Sequence, residues 1–276
     1  MLTVAFQGER GAFSEEAARK LLGSSIDAVP CRTFEDVFAA VRDGRVQCAL
    51  LPIENSLAGS VVRNYELLAE EHLEIRGEVF LRISHNLIAR RGTLLADVKR
   101  VYSHPVALAQ CQRFLAERNL EPVAAYDTAG AVKDIMSNGA SDAAAVAGRW
   151  AAELYGGEIL AAEIEDHQEN YTRFLLLAKT DLTVNGGAPK TSLLFRTSNK
   201  PGSLFRALAA FALRDISMSK IESRPIVGRP WEYSFYVDIM GDAKEPNVAR
   251  AIEHLREMCE FVRVLGTYPT GSQAHL

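Results

Sequence analysis

The chain has 276 residues, enough for two domains, because a single domain usually contains roughly 100–200 residues. Its composition is that of a globular protein, and its net charge of −4 argues against general binding to nucleic acid or an anionic membrane. The four cysteines show neither a CxxC pair nor a Cys/His ligand spacing, so we expect reduced thiols in a cytoplasmic protein without zinc. No segment approaches the ~20 apolar residues of a membrane span, and we expect no signal peptide.

The chain opens with an apolar segment, residues 2–6, which predicts a first strand. Gly8 and Gly11 predict a tight turn after it, and Ser14 is the expected start of a helix with two glutamates in its first turn. The spacing Gly8-x-x-Gly11 is too short for a dinucleotide-binding fingerprint. A Rossmann-type cofactor site is therefore not favoured.

The next segment repeats the order of helix and strand. Thr33 predicts the cap of a helix that ends at Arg42, and Gly44 predicts its stop. A strand is expected at residues 47–51, and the polar residues 52–60 predict a turn before a helix at about 61–70.

Two more strand-to-helix turns follow, at residues 101–105 and 126–128. The helices expected after them are 106–118 and 129–137, and the first of these places Ser103 and Gln110 about two turns apart. This alternation predicts α/β layers with largely parallel sheets, in which ligands collect where strands give way to helices. Helix capping alone would explain the presence of a polar residue at Ser14, Thr33 and Thr128. It explains the polar residues Asn55 and Ser103 less well.

The first part of the chain is predicted to form two lobes. Residues 71–91 are extended, with an alternating apolar pattern that predicts a strand crossing from one lobe to the other. The chain is expected to return near residues 164–170. Two crossings predict a hinge and a groove between the lobes.

Residues 169–174 contain a hydroxyl, on Thr172, next to a guanidinium, on Arg173. They lie at the start of the apolar run 174–178, which predicts a buried strand. Arg173 is able to hold a carboxylate through two hydrogen bonds, and Thr172 is able to share a proton with a departing oxygen. The alternative is a polar strand start in which Arg173 forms a surface salt bridge.

The clearest linker, residues 185–189, is followed by a compact run with the order βαββαβ, which is typical of a ferredoxin-like unit. The predicted elements are strand 191–196, helix 203–213, strand 217–222, a hairpin turn near Gly228, strand 232–240, helix 246–259 and strand 261–265. We expect domain boundaries at 1–180 and 190–268.

Several motifs in this order resemble the prephenate dehydratase family with a C-terminal ACT regulatory domain. They are Gly8-x-x-Gly11-x-Phe13-Ser14, Pro52-Ile53-Glu54-Asn55-Ser56, Tyr102-Ser103-His104-Pro105 with Gln110-Cys111, Asn170-Tyr171-Thr172-Arg173-Phe174, and Glu222-Ser223-Arg224-Pro225. The resemblance covers nearly the whole chain, from Gly8 to about Pro269. It implies a two-lobed catalytic domain similar to periplasmic solute-binding proteins, followed by the ACT domain.

The resemblance also implies an activity and its residues. The reaction converts prephenate to phenylpyruvate, water and carbon dioxide, without a metal or an organic cofactor. Thr172 is implied as the main catalytic residue, and the implied substrate-binding residues are Asn55, Ser103, Gln110 and Arg173. His104 is a second candidate for proton transfer, although it is equally suited to shaping a turn.

In the ACT domain, the resemblance implies a phenylalanine site in a homodimer or homotetramer. The implied residues are Gly202, Ser203 and Leu204 on one side and Glu222, Ser223, Arg224 and Pro225 on the other. The usual family loop is Gly-Ala-Leu-Val, whereas this chain has Gly202-Ser203-Leu204-Phe205, which leaves the effector's identity and the sign of regulation open. Two other readings stay open: arogenate as the substrate, and a non-catalytic amino-acid sensor.

Overall fold

The computed structural model describes residues 1–138, 140–226 and 228–272. It divides into two compact units, the first made of Met1–Leu67 and Val79–Leu175, and the second of Leu68–Glu78 and Leu176–Leu276. In the described residues, no helix is long and apolar enough to cross a membrane.

The elements up to residue 178 alternate between strands and helices, as the sequence predicts. They are β1 (Leu2–Gln7), α1 (Phe13–Leu22), β2 (Ile26–Cys31), α2 (Phe34–Arg42), β3 (Cys48–Asn55), β4 (Gly59–Ser60), α3 (Val62–Glu70), β5 (Glu74–Arg82), β6 (Asn86–Ala89), a 3₁₀ turn (Leu95–Asp97), β7 (Arg100–Ser103), α4 (Pro105–Gln110), α5 (Gln112–Glu117), β8 (Glu121–Ala124), α6 (Thr128–Asn138), β9 (Ala143–Ala147), α7 (Arg149–Tyr155), β10 (Glu158–Ala161) and β11 (Tyr171–Ala178).

These strands form two sheets. The first has the order β2-β1-β3-β11-β5, with β4 paired to β3, and the second has the order β10-β6-β9-β7-β8. The chain leaves the first sheet after β5 and returns to it at β11, so the predicted pair of crossings and the two-lobed α/β arrangement are confirmed. The crossings lie side by side, because Ile83 N donates to Asn170 O at 2.7 Å and Ile164 N donates to His85 O at 2.9 Å.

The prediction of largely parallel sheets holds for part of each sheet and is wrong for the rest. In the first sheet β1 pairs in parallel with β2 and β3, but β4 is antiparallel to β3. In the second, β7 is parallel to β8 and β9, but β6 is antiparallel to β9 and β10. β6, the first strand after the crossing, is the member of both antiparallel pairs.

Four local predictions need correction. Ser14 lies inside α1, whose cap position is Ala12, and Thr128 lies inside α6, where Asp127 Oδ1 instead accepts from Gly130 N at 2.9 Å. Residues 52–55 continue β3 rather than forming a turn. The helix predicted at 106–118 is interrupted at Cys111. The Thr33 cap is confirmed, and its hydroxyl accepts from Asp36 N.

The second unit contains the predicted βαββαβ order. Its elements are β12 (Pro189–Arg196), α8 (Ser203–Ala212), β13 (Met218–Ile226), β14 (Arg229–Met240), α9 (Pro246–Met258) and β15 (Phe261–Pro269). The antiparallel sheet has the order β13-β14-β12-β15, which confirms the ferredoxin-like unit. Its core packs both helices against one face of the sheet, through Phe195, Phe211, Ile239 and Leu255 among others.

Candidate active site

The site begins with Asn55 at the end of β3, whose amide orientation is set by the backbone. Its Oδ1 accepts from Leu57 N at 3.0 Å and from Ala58 N at 2.8 Å. Because the oxygen is occupied by two N–H donors, the Nδ2 group must point the other way. It donates to Thr172 Oγ1 at 2.9 Å and to Asn170 Oδ1 at 2.7 Å.

The hydrogen-bond network continues into the other lobe. Asn170 Nδ2 donates to Gln110 Oε1 at 3.0 Å, and His85 Nε2 lies 2.9 Å from the same oxygen. Asn170 precedes β11, Gln110 is the last residue of α4, and His85 lies in the first crossing. One continuous series of hydrogen-bonded side chains therefore joins both lobes. We call it the amide network, and its members are Thr172, Asn55, Asn170, Gln110 and His85.

Thr172 has the environment that a hydrogen-bond donor to substrate requires. Its residue is 7% exposed, and its oxygen already accepts from Asn55 Nδ2. Among the described residues, nothing accepts the hydroxyl proton of Thr172. That proton is available for a bound ligand, while the Asn55 amide stabilises negative charge on the threonine oxygen.

The other two predicted substrate-binding residues, Ser103 and Arg173, are both buried. Ser103 is fully buried at the end of β7, and its hydroxyl donates to Val146 O at 2.6 Å, so its proton is held by the neighbouring strand. Arg173 is 8% exposed and follows Thr172 along β11. Successive side chains of a strand emerge on opposite faces, so the side chains of Thr172 and Arg173 start from different sides of the sheet.

His85 is buried in a mixed environment, 2% exposed, with its ring edge-on to Phe13 at a centroid distance of 5.6 Å. Burial lowers the pKa of His85, and the opposing effects of the Gln110 hydrogen bond and the Glu165 charge are smaller. Glu165 Oε2 accepts from the His85 backbone N–H at 2.9 Å, and its other oxygen pairs with Arg82. The imidazole is therefore neutral near pH 7.

The glycine turn after β1 serves close packing between the lobes. Gly8 has φ +112°, and a Cβ there would lie 2.6 Å from Asp127 Oδ2. Gly11 has φ +88°, and its Cβ would lie 3.0 Å from the Ala151 backbone. Both the backbone conformation and the lack of space require glycine. This accounts for the Gly8-x-x-Gly11 motif without a phosphate ligand.

His104 acts as a helix cap. It precedes α4, and its Nδ1 accepts from Val106 N at 3.3 Å. The turn-shaping alternative for this residue is therefore supported by its geometry.

The predicted effector residues lie on different elements of the second unit. Gly202 takes the left-handed conformation at the start of α8, with φ +77°, and Ser203 Oγ lies 3.3 Å from Ser198 Oγ. Leu204 and Ser203 line a cavity of about 150 Å³ together with Trp231. On β13, Glu222, Ser223, Arg224 and Pro225 follow one another, and Arg224 pairs with Glu222 at 2.7 Å.

Sequence reasoning gave no role to Asn170 or His85. Asn170 belongs to the same motif as Thr172 and stands two residues before it. In an extended backbone, side chains two residues apart lie on the same face. His85 interrupts an apolar extended stretch with a polar ring, which is the signal that was available. Within the described residues, no group of three or more His, Cys, Asp or Glu is arranged to hold a metal ion.

Comparison with known proteins agrees with this architecture. The family model described as prephenate dehydratase matches residues 4–182, and the ACT domain model matches residues 191–257. The chain is 46% identical to arogenate dehydratase/prephenate dehydratase 2 of Arabidopsis thaliana, over 96% of this chain and 72% of the relative. It is 40% identical to a bifunctional N-acyl-homoserine lactone acylase/prephenate dehydratase of Komagataeibacter europaeus, over 96% and 95% respectively.

A solved structure shows the same fold. The prephenate dehydratase of Arthrobacter aurescens in complex with L-Phe superimposes with a TM-score of 0.88 at 32% identity, covering 97% of this chain and 90% of that one. The family model covers well over half of this chain, and the ACT model covers most of the ferredoxin-like unit. The chain therefore belongs to the prephenate dehydratase family and carries a C-terminal ACT domain.

Proposed function

We propose that this chain is a carbon–oxygen lyase that converts prephenate to phenylpyruvate, carbon dioxide and water, with no metal or organic cofactor. The observation that carries the proposal is the arrangement at Thr172. Its oxygen accepts from Asn55 Nδ2, and nothing in the described part of the chain takes its proton. A buried hydroxyl in this state is suited to a departing oxygen on a substrate.

The chemistry places modest demands on the protein. The bond from the ring to its carboxylate breaks, its electron pair moves through the ring, and the bond to the hydroxyl opposite breaks. The departing hydroxide takes up the proton of the Thr172 hydroxyl and leaves as water, and solvent returns a proton to Thr172 after the products leave. The ring becomes aromatic, which supplies most of the driving force. The protein has to hold a dicarboxylate, exclude water and donate a hydrogen bond to the departing oxygen.

The predicted residues divide these tasks. Thr172 donates to the departing hydroxyl, and Asn55 donates to Thr172 Oγ1 at 2.9 Å, so charge on that oxygen is stabilised as the hydroxide leaves. Gln110 supplies its amide Nε2 to a substrate oxygen. Arg173 offsets a substrate carboxylate, and Ser103 lines the site through its oxygen.

Arogenate, the amino analogue of prephenate, is a second candidate substrate. The relatives from Arabidopsis thaliana and Petunia hybrida, both 46% identical to this chain, are named arogenate dehydratase/prephenate dehydratase 2 and arogenate dehydratase 2. The same loss of carbon dioxide and water would then give phenylalanine directly. Comparing kcat/KM for the two acids decides between them.

The regulatory part of the proposal is feedback by phenylalanine through the ACT domain. The related structure from Arthrobacter aurescens was solved in complex with L-Phe, which supports an aromatic amino acid as the effector. The proposed contacts to phenylalanine are Gly202, Ser203 and Leu204 together with residues Glu222–Pro225. A homodimer or homotetramer, and a cytoplasmic location, remain predictions.

The test is phenylpyruvate formation from prephenate by the purified chain, with and without phenylalanine. Thr172→Ala should lower turnover by ~10²–10⁴-fold, whereas Thr172→Ser, which keeps a hydroxyl, should lose far less. A near-normal rate in Thr172→Ala would contradict the catalytic assignment. No activity with either acid would favour the amino-acid sensor instead.

A further inference from the structure

The amide network has a single consistent set of hydrogen-bond directions, because it starts from the backbone. The N–H groups of Leu57 and Ala58 can only donate, so Asn55 Oδ1 accepts and Asn55 Nδ2 donates. Asn170 Oδ1 receives that donor at 2.7 Å, which turns Asn170 Nδ2 toward Gln110. Gln110 must therefore present its oxygen to Asn170.

The same reasoning fixes the tautomer of His85. Gln110 Oε1 can only accept, so His85 Nε2, 2.9 Å away, carries the hydrogen. In the neutral ring the other nitrogen, Nδ1, is then unprotonated. It is buried and has no hydrogen-bond partner in the described residues. Burial also disfavours the imidazolium that would put hydrogens on both nitrogens.

The side-chain amide of Gln110 has one group, its Nε2, that is available to a ligand. Two donors, Asn170 Nδ2 and His85 Nε2–H, occupy its oxygen, and its Nε2 group has no hydrogen-bond partner in the described part of the chain. If the amide were reversed, its NH₂ group would face the Asn170 Nδ2 donor, and His85 Nε2 could accept from it only if the ring carried its hydrogen on Nδ1, where the described residues offer no acceptor. The reversed amide would therefore leave donors without acceptors, so the two neighbours together hold it in one orientation.

We propose that His85 is a positioning residue for the dehydration: its Nε2–H holds Gln110 Oε1, so that Gln110 Nε2 is presented to the substrate as a fixed donor. This inference rests on the proposed function, because it deepens the role of Gln110 in that site. His85 itself does not exchange protons with the substrate. It acts by setting which end of the glutamine amide faces the ligand.

A pair of substitutions separates this role from mere filling of space. In His85→Gln, the side-chain amide reaches about as far as Nε2 and is able to donate to Gln110 Oε1. In His85→Asn, the amide reaches only about as far as Nδ1 and the bond is lost. We expect kcat/KM within about threefold of the parent for His85→Gln, and a loss of roughly tenfold for His85→Asn, the scale of one neutral hydrogen bond.

His72→Asn is a control for the substitution itself. His72 is exposed in the second unit and does not belong to the amide network, so kcat/KM should stay near the parent value. Equal losses in His85→Gln and His85→Asn would overturn the proposal.

Two further measurements keep the test decisive. In the Gln110→Ala background, His85→Asn should cost nothing more, since the amide that it positions is gone; fully additive losses would contradict the proposal. Independently of activity, ¹⁵N-edited NMR should show the Nε2–H tautomer, assigned to His85 by its absence in His85→Gln. An Nδ1–H tautomer of His85, or an imidazolium at pH 7, would overturn the inference even if the lyase activity is found. An inactive parent chain would overturn only the proposed function.

Discussion

Single residues decide the chemistry of this site, and Asn55 offers a clean test. Asn55→Asp keeps an oxygen for the N–H groups of Leu57 and Ala58 but loses the donor to Thr172 Oγ1. It also adds an acceptor that competes for the threonine proton. We expect turnover to fall by about 10²–10³-fold, the usual cost of one preorganised donor, and the urea midpoint of unfolding to fall as well, because the new carboxylate oxygen faces Asn170 Oδ1. Turnover within tenfold of the parent would argue against this role.

Glu15 is a second residue with a measurable effect, on stability rather than turnover. Its carboxylate is fully buried in α1 and accepts from Gly11 N at 2.8 Å and from the guanidinium groups of Arg10 and Arg19. Burial acts to raise the pKa of Glu15, but these hydrogen bonds together outweigh it, and the pKa lies below its ordinary value. Glu15→Gln should therefore lower the free energy of unfolding at pH 7 by about 1–3 kcal/mol.

The sign of the pH dependence follows from the direction of that shift. A carboxyl group with a lowered folded-state pKa stabilises the fold fully above its unfolded-state pKa of about 4.3, and this contribution is lost as the pH falls through the folded-state value. The stability difference between the parent and Glu15→Gln should shrink as urea titrations move from pH 7 toward pH 3. A difference that grows in acid would contradict the assignment.

At this scale the sequence predicts side-chain chemistry better than side-chain partners. Asn55, Gln110 and Thr172, named from their motifs, lie in one network, although their catalytic roles remain to be tested. Ser103 was grouped with them, yet its hydroxyl proton goes to a strand that is 43 residues away along the chain. Contacts over such separations depend on the register of the sheet, which no local pattern contains.

Among the elements, the break between α4 and α5 shows the effect of tertiary contacts on helix boundaries. Neither Gly nor Pro lies between residues 106 and 118, and one continuous helix was predicted. Asp166 N donates to Gln110 O at 2.7 Å, and Asp166 Oδ1 accepts from Arg113 N at 3.1 Å. Asp166 thus ends one helix and caps the next, from a position more than 50 residues away in the sequence.

Removing that cap should cost stability. Asp166→Ala leaves Arg113 N without its acceptor, and we expect a loss of about 0.5–2 kcal/mol in the free energy of unfolding, as for other helix caps. Asp166→Asn keeps an acceptor oxygen and should lose clearly less. Thermal or urea unfolding of the three proteins is the measurement, and equal losses in both variants would show that the cap is not the cause.

Elements with a strong apolar pattern were predicted well, and those with a weak pattern were not. The βαββαβ order of the second unit followed from clear strand and helix periods. β2 carries Asp27 and Pro30, and β9 is an alanine-rich strand, so neither matches the usual β-branched composition of strands. Both are stabilised by neighbouring strands on the sheet rather than by intrinsic preference.

For the whole molecule, the order of the two parts follows from the sequence because each carries its own motifs and a linker separates them. The family models match residues 4–182 and 191–257 in that order. The segment Leu68–Glu78, which clusters with the second unit, was not predictable. It carries Glu78, whose carboxylate pairs with Lys190 Nζ at 2.7 Å, and such a buried pair leaves no periodic signal in the sequence.

The second unit also carries features that predict self-association. β13 lies at one edge of its sheet, where Ile221 is 45% exposed, while Phe205 on α8 and Trp231 on β14 are 77% and 75% exposed. An open strand edge, on a unit that also carries exposed apolar side chains, favours pairing with a second chain. We expect light scattering to give at least twice the mass of one chain, and Ile221→Lys to shift the protein toward the monomer.

A substitution of the same kind on the first unit provides the control. Leu94 is 65% exposed, and Leu94→Lys should leave the measured mass unchanged. Because the proposed phenylalanine contacts lie on the same unit as Ile221, Ile221→Lys should also weaken inhibition by phenylalanine while turnover without effector persists. If Ile221→Lys kept both the parent mass and the parent response to phenylalanine, the edge of β13 would not be the surface through which the chains pair.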